Sequence, residues 1–229
     1  MRKTLLLDYD DTLHDTISQF KKRLDGILGM SGEKLWQLYI EEIHKNIVHK
    51  LYPEKHDDQE FHLSILFKKI GQPYNQSIVE TFIRRYRKTE EACWKTPTFF
   101  PDAIPFLNRV KDLGYKPVIV TGKWAEEKAR SLNEHGSKIY FDHAFGEAVL
   151  GYLKTDPRYY REALKRSNTT AENAIMIGDS LLNDIEPAEA VGIKTIWVNR
   201  REQKAGGTQV NHDFEVRNLL EILNYLLEI

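Results

Sequence analysis

Four short apolar runs set the pattern of this chain: residues 5–7, 118–120, 174–177 and 195–198. Each is about the length of a strand buried on both faces. The first three end abruptly in polar or glycine residues, at Asp8, at Thr121-Gly122 and at Gly178-Asp179. Between the later runs, apolar residues recur at helical spacing. These stretches are 102–113, closed by Gly114; 125–135, closed by Gly136; 157–166, opened by Pro157; and 183–191, closed by Gly192. Strand alternating with helix predicts an α/β fold, a Rossmann-like three-layer core with a parallel sheet wrapped by helices. In such sheets ligands gather beyond the carboxyl ends of the strands. The polar residues that end these runs stand at that edge.

Residues 14–96 break the alternation. They carry no strand-like run, but apolar residues three to four apart mark helices at 17–28, 34–48, 61–70 and 78–94. Gly29-Met30-Ser31-Gly32, Pro53 and Gly71-Gln72-Pro73 separate them. The reading is a core of residues 1–13 and 97–229 interrupted by an all-helical insertion at 14–96. No repeat or low-complexity tract is present.

Composition narrows the classes. A formal net charge of -1 gives no global basic surface for nucleic acid, and 41% hydrophobic residues suffice for a core. The single cysteine, Cys93, excludes an intramolecular disulfide framework and fits a reducing compartment as a small buried hydrophobe. Arg2-Lys3 is followed by only three leucines, which is too short for a signal-peptide core. No apolar stretch approaches the roughly 20 residues a bilayer requires. A soluble cytoplasmic protein without membrane or nucleic-acid partners is expected.

The chemistry begins at Asp8-Tyr9-Asp10-Asp11-Thr12. Residues two apart on a strand share a face, so Asp8 and Asp10 can converge above the sheet edge and divide labour as nucleophile and proton donor. Negative charge at the end of a buried strand is costly unless compensated, and a divalent cation is one compensation. A solvated acidic turn is the plainer alternative. The run 175–177 also ends in a carboxylate, Asp179, behind Gly178, and Asn183-Asp184 follows. Asp184 alone would be an ordinary helix N-terminal acid. Thr121 and Gly122 offer a hydroxyl and an amide to phosphate oxygens. Lys154, ahead of a helix, would by itself be a surface charge.

In this order the four elements resemble the haloacid dehalogenase superfamily, on its phosphatase branch with a helical cap of the C1 type. The motifs match at Asp8, Asp10 and Thr12; at Thr121; at Lys154; and at Gly178, Asp179, Asn183 and Asp184. The resemblance implies that Asp8 attacks phosphorus to form an aspartyl-phosphate and that Asp10 acts as acid and then base. It implies Mg²⁺ held by Asp8, the Asp10 main chain and Asp179, with Asp184 as ligand or support. Thr12, Thr121, Gly122 and Lys123 would surround the phosphoryl group, and Lys154 would neutralise it. The namesake dehalogenases lack the second aspartate, so Asp10 argues against their chemistry. Thr155 stands where many relatives carry proline, and Lys123 adds a charge of uncertain role. The interval from Thr121 to Lys154 is too short for a second large cap.

Within the insertion, His44 and His49 are five apart and miss the i, i+4 geometry of a helical zinc pair. Arg84, Arg85, Arg87 and Lys88 read as a solvated face before a substrate contact, and Trp36, Tyr39, Tyr86 and Trp94 as packing. His14 could touch substrate or serve a hinge. Lys204-Ala205-Gly206-Gly207 reads as a surface loop. The expectation is a Mg²⁺-dependent phosphatase, monomer or homodimer, acting on a small phosphorylated metabolite: phosphoglycolate, a sugar phosphate or a nucleoside monophosphate. A phosphomutase of the same family and a non-catalytic binding protein are the alternatives.

Overall fold

In the computed structural model the chain is described over residues 3–203 and 212–228, so the 204–207 loop lies outside the described residues. The chain divides into two compact units: residues 1–15 with 97–229, and residues 16–96. His14 and Asp15 thus belong with the first unit.

The first unit is built on a six-stranded sheet in the order β3-β2-β1-β4-β5-β6, with every neighbouring pair parallel. The strands are β1 (Thr4–Leu7), β2 (Lys116–Val120), β3 (His143–Phe145), β4 (Ala174–Gly178), β5 (Lys194–Val198) and β6 (Phe214–Val216). Central β1 faces water on neither side. Leu5 and Leu7 point into one layer with Ile119, Ile177, Phe106 and Leu132. Leu6 points into the other with Val118, Met176, Tyr159 and Tyr160. The period-two alternation of a strand thereby feeds two separate cores, and this makes the unit three-layered. Helices Ala103–Asp112, Ala125–Gly136 and Leu219–Glu228 cover the first face, and Pro157–Arg166 covers the second.

The four buried runs become β1, β2, β4 and β5. Edge strands β3 and β6 carried no comparable signal, because each is three residues long and only its last residue is buried. The short helix Glu147–Leu150 and the last helix, Leu219–Glu228, are further elements the pattern did not single out. The stretch read as one helix over 183–191 is instead a π turn, Leu181–Ile185, running into Glu186–Glu189. Arg200 holds the ends of this unit together. Its guanidinium donates to both carboxylate oxygens of Asp102, at 3.0 and 3.1 Å, and to the Thr12 carbonyl at 2.8 Å. Such two-point geometry fixes direction as well as charge.

The second unit is all helical: Thr16–Leu24, Gly32–Trp36, Gln59–Lys69 and Gln76–Lys95 frame it. Phe20, Leu35, Tyr39, Ile43, Leu66 and Phe82 form its core, with Cys93 buried among them. Tyr39 packs 4.5 Å from Phe82, and Tyr86 packs 4.8 Å from Phe20, between ring centroids. These aromatics are thus packing residues, while Arg84, Arg85, Arg87 and Lys88 are exposed. The helix expected over 34–48 changes type midway: Gly32–Trp36 is α and Gln37–Val48 is π, with His49–Leu51 returning to α. Among the described residues, no helix is long and apolar enough to cross a membrane.

The helices Thr16–Leu24 and Gly32–Trp36 touch backbone to backbone at Gly32, where a Cβ would overlap the Lys21 carbonyl. The Gly32 amide also donates to Asp25 at 2.8 Å. Gly32→Ala should therefore destabilise the helical unit by about 1–3 kcal/mol. Urea unfolding together with hydrogen exchange checks this; protection across residues 16–96 should fall while the sheet keeps its own.

Candidate active site

At the end of β1 the Asp8 amide still donates to the Ile177 carbonyl at 3.0 Å, so Asp8 is held in the ladder while the chain begins to turn. Beyond it the loop folds on itself. The Leu13 and His14 amides donate to the Tyr9 carbonyl, and the Asp11 amide donates to the His14 carbonyl at 2.7 Å. Asp11 has φ 58°, the left-handed conformation that Asp tolerates better than most residues. Its carboxylate leaves the strand axis and pairs with Arg201 at 2.9 Å. Of the three consecutive-looking acids, Asp8 and Asp10 are left to face the sheet edge. His14 is buried, stacked on Tyr9 at 5.3 Å, and burial pushes its pKa down to about 4, so it is a neutral packing group.

Two buried lysines compensate these acids. Lys154 donates to Asp8 Oδ1 and reaches Asp184 Oδ1, both at 2.6 Å. It is only 6% exposed, which overturns its reading as a surface charge. Burial pulls its pKa down, but Asp184 and Asp8 together hold it well above the usual lysine value. Lys128 donates to Asp10 Oδ2 at 2.5 Å and to Thr121 Oγ1 at 2.9 Å, and the Thr121 hydroxyl lies 3.3 Å from the same Asp10 oxygen. Lys128 was not among the residues singled out from sequence; Lys123, nearer the end of β2, was. Lys123 is exposed, whereas Lys128 is buried. The signal existed. Ala125, Lys128, Ala129 and Leu132 form one apolar stripe, and a lysine on such a stripe requires an anionic partner.

The third group is acidic. Carboxylate oxygens of Asp8, Asp179 and Asp184 all lie within 4.8 Å of one another. Asp184 is not a surface helix-capping acid: it is 1% exposed and accepts from the Ser180 amide at 3.0 Å. Its carboxylate lies directly over Gly178, where a Cβ would overlap it, so only glycine fits there. The Asp179 carbonyl accepts from Trp197 Nε1 at 2.8 Å, which fixes that turn. Asp8 Oδ2 is buried and has no hydrogen-bond partner. Burial pushes the Asp8 pKa up to about 7; Lys154 opposes this, and Asp184 and Asp10 add to it. The Asp10 carboxylate stands apart from this cluster, on Lys128 and Thr121.

Supporting residues hold the loops in place. Tyr159 donates its hydroxyl to the Thr121 carbonyl at 2.9 Å and the Phe145 carbonyl at 3.1 Å. Tyr160 donates to the Asn183 carbonyl at 2.7 Å. Glu147 accepts from the Lys154 amide at 2.9 Å, and its own amide donates to the Gly122 carbonyl at 2.9 Å. Thr12 is wholly buried, with its hydroxyl unpartnered and its carbonyl held by Arg200. It therefore belongs to the scaffold side of the loop.

Carboxylates and lysines thus cluster at the carboxyl edge of the central strands β2, β1 and β4, where parallel sheets bind their ligands. The family model of haloacid dehalogenase-like hydrolases matches residues 5–198. The chain belongs to that family, on its phosphatase branch, and is a phosphoric monoester hydrolase. It is 29% identical over 199 residues to the glyceraldehyde 3-phosphate phosphatase of Pyrococcus abyssi, covering 86% of this chain and 81% of that one. It is 27% identical to the enzyme of the same name from Methanopyrus kandleri, covering 100% and 99%. The same fold is found in the magnesium-bound putative hydrolase YfnB from Bacillus subtilis, with a TM-score of 0.77, 22% identity and full coverage of both chains.

Replacing Lys128 by Met keeps the apolar stem and removes the partner of Asp10. Turnover of an alkyl phosphate, whose leaving oxygen needs a proton, should fall by about 100-fold. The melting temperature should fall only modestly, because the Asp10 carboxylate left behind keeps 36% of its side-chain surface in solvent. Steady-state kinetics with a thermal melt checks both; unchanged kcat would assign Lys128 to packing alone.

Proposed function

We propose that this protein is a Mg²⁺-dependent phosphatase of small phosphorylated metabolites that works through an aspartyl-phosphate on Asp8, with the helical unit, residues 16–96, in the role of the family's cap. The observation that carries the reading is the double ion pair of Lys154 with Asp8 and Asp184, set beside an unpartnered Asp8 oxygen. One ammonium shared between two buried carboxylates, with Asp179 alongside, leaves negative charge in excess.

The residues present fit a magnesium ion. The donors at Asp8, Asp179 and Asp184 are all hard carboxylate oxygens, and Asp8 Oδ2 has an unused buried lone pair. When bound there, the ion supplies charge neutralisation for the phosphoryl oxygens and the nucleophile. The chain's own residues do the rest. Asp8 attacks phosphorus in line with the leaving oxygen. Asp10, held by Lys128 and Thr121, protonates that oxygen and then takes the proton of the attacking water. Lys154 stays beside Asp8 throughout, so its charge is in place before the phosphoryl group arrives and needs no reorganisation. Phosphoryl transfer is mainly a matter of positioning and charge compensation, and both are built into this edge.

For substrate we propose a triose phosphate, with glyceraldehyde 3-phosphate first. Five related enzymes, aligned over 85–100% of this chain, carry that name. Phosphate release should be greatest on glyceraldehyde 3-phosphate within a panel that includes phosphoglycolate, phosphoserine and nucleoside monophosphates. Preference for another member overturns the substrate and leaves the mechanism standing. EDTA should abolish turnover and Mg²⁺ restore it; full activity in EDTA would remove the metal from the reading. Asp8→Asn should lose all turnover while remaining folded. Asp10→Ala should slow alkyl phosphates far more than p-nitrophenyl phosphate, whose leaving group needs no proton; equal losses on both would rule out the acid role.

A further inference from the structure

Three histidines in the helical unit converge where sequence spacing says they should not. His44 and His49 are five residues apart, which on an α-helix turns them to different faces. The segment carrying His44, Gln37–Val48, is a π-helix, and the His49 amide donates to the His44 carbonyl, an i to i+5 bond. This register brings the two side chains edge to face, with ring centroids 4.3 Å apart. The turn Pro53–Lys55 then brings His56 to the same point, 4.6 Å from His49 and 5.0 Å from His44. One ring nitrogen from each lies within 4.8 Å of the other two.

We infer that His44, His49 and His56 form a binding site for a divalent transition ion of the Zn²⁺ class, separate from the carboxylate cluster and chemically unlike it. With Zn–N bonds of about 2.0–2.1 Å, imidazole rings on one ion have centroids about 5 Å apart, so small side-chain rotations complete the site. A long π-helix is rare and tends to mark function. Both ring nitrogens of His49 are buried without a hydrogen-bond partner, a cost that a bound ion removes. Burial, followed by the neighbouring rings, pushes the pKa of His44 down to about 2 and that of His49 to about 4, so the rings are neutral with lone pairs available. His62 stands beside them, 5.2 Å from His44, but serves differently. Its Nε2 pairs with the Lys55 carbonyl at 2.8 Å and its Nδ1 with the Tyr39 hydroxyl at 3.4 Å. It anchors the turn that presents His56.

Nitrogen donors of this kind select Zn²⁺, Co²⁺, Ni²⁺ or Cu²⁺ and reject Mg²⁺, which demands oxygen. The ion would clip the π-helix to the turn at 53–56, closing a short loop in the middle of the helical unit.

The test uses the full-length protein in saturating Mg²⁺, so that the carboxylates are occupied. Titration with Zn²⁺ followed by calorimetry should show one equivalent bound. Co²⁺ should give the visible absorption of a nitrogen-ligated ion, and Zn²⁺ should raise the melting temperature. His49→Ala and His56→Gln should each weaken Zn²⁺ binding by about 100-fold. Both should keep Mg²⁺-supported turnover of p-nitrophenyl phosphate. Two results would overturn the site: no Zn²⁺ uptake by the wild type in saturating Mg²⁺, or undiminished affinity in His56→Gln. The His56 variant lies on an intermediate-exposure turn, so it serves even if His49→Ala unfolds.

Discussion

One cation shared by two buried carboxylates organises this molecule. Lys154 lies between Asp8, at the tip of the central strand, and Asp184, in the π turn after the neighbouring strand. Each acid would be costly alone in so buried a place, and so would the lysine. Together they oblige three separate chain segments to meet at one edge of the sheet. Much nearby structure serves that meeting. Gly178 has no side chain because the Asp184 carboxylate occupies its space, Tyr160 holds the carbonyl beside it, and Glu147 holds the Lys154 amide. The second pair, Lys128 with Asp10, repeats the principle one strand over, with Thr121 as the third member. The edge thus carries two acid–lysine systems. They differ in exposure: Asp8 is sealed, while the Asp10 side chain keeps 36% of its surface.

The sheet was legible because its inner strands are buried on both faces and must be written in unbroken apolar residues. β3 and β6 were not, since an edge strand of three residues is neither continuous nor alternating enough to stand out from a loop. The clustering of Asp8, Asp179 and Asp184 was legible in outline from the polar residues that end adjacent runs. What escaped was side-chain direction. Asp11 has the same composition as its neighbours, yet a left-handed backbone turns it to Arg201. Lys123 is two residues from Thr121 in sequence but exposed, and Lys128, in the first turn of the following helix, makes the contact. The histidines show a further limit. Any argument from residue spacing assumes the helix type, and a π segment changes which residues share a face.

The two units are stabilised in different ways. The first has two apolar layers pressed on a sheet, with buried lysines paired to acids at its carboxyl edge and the Arg200–Asp102 fork beside them. The second is a single cluster of aromatic and aliphatic side chains among helices, with His62, Thr16 and Thr89 among its buried polar residues.

The register of β1 has a consequence for how the protein is made. Leu7 pairs with Ile119 on one side and Ile177 on the other, so the strand is synthesised well before either of its neighbours. The helical insertion, whose contacts are local, can become compact in the interval. Until Lys154 has been synthesised, the apolar strand and its acids wait without their counter-charge. The innermost element of the fold is then among the last to find its place in the sheet.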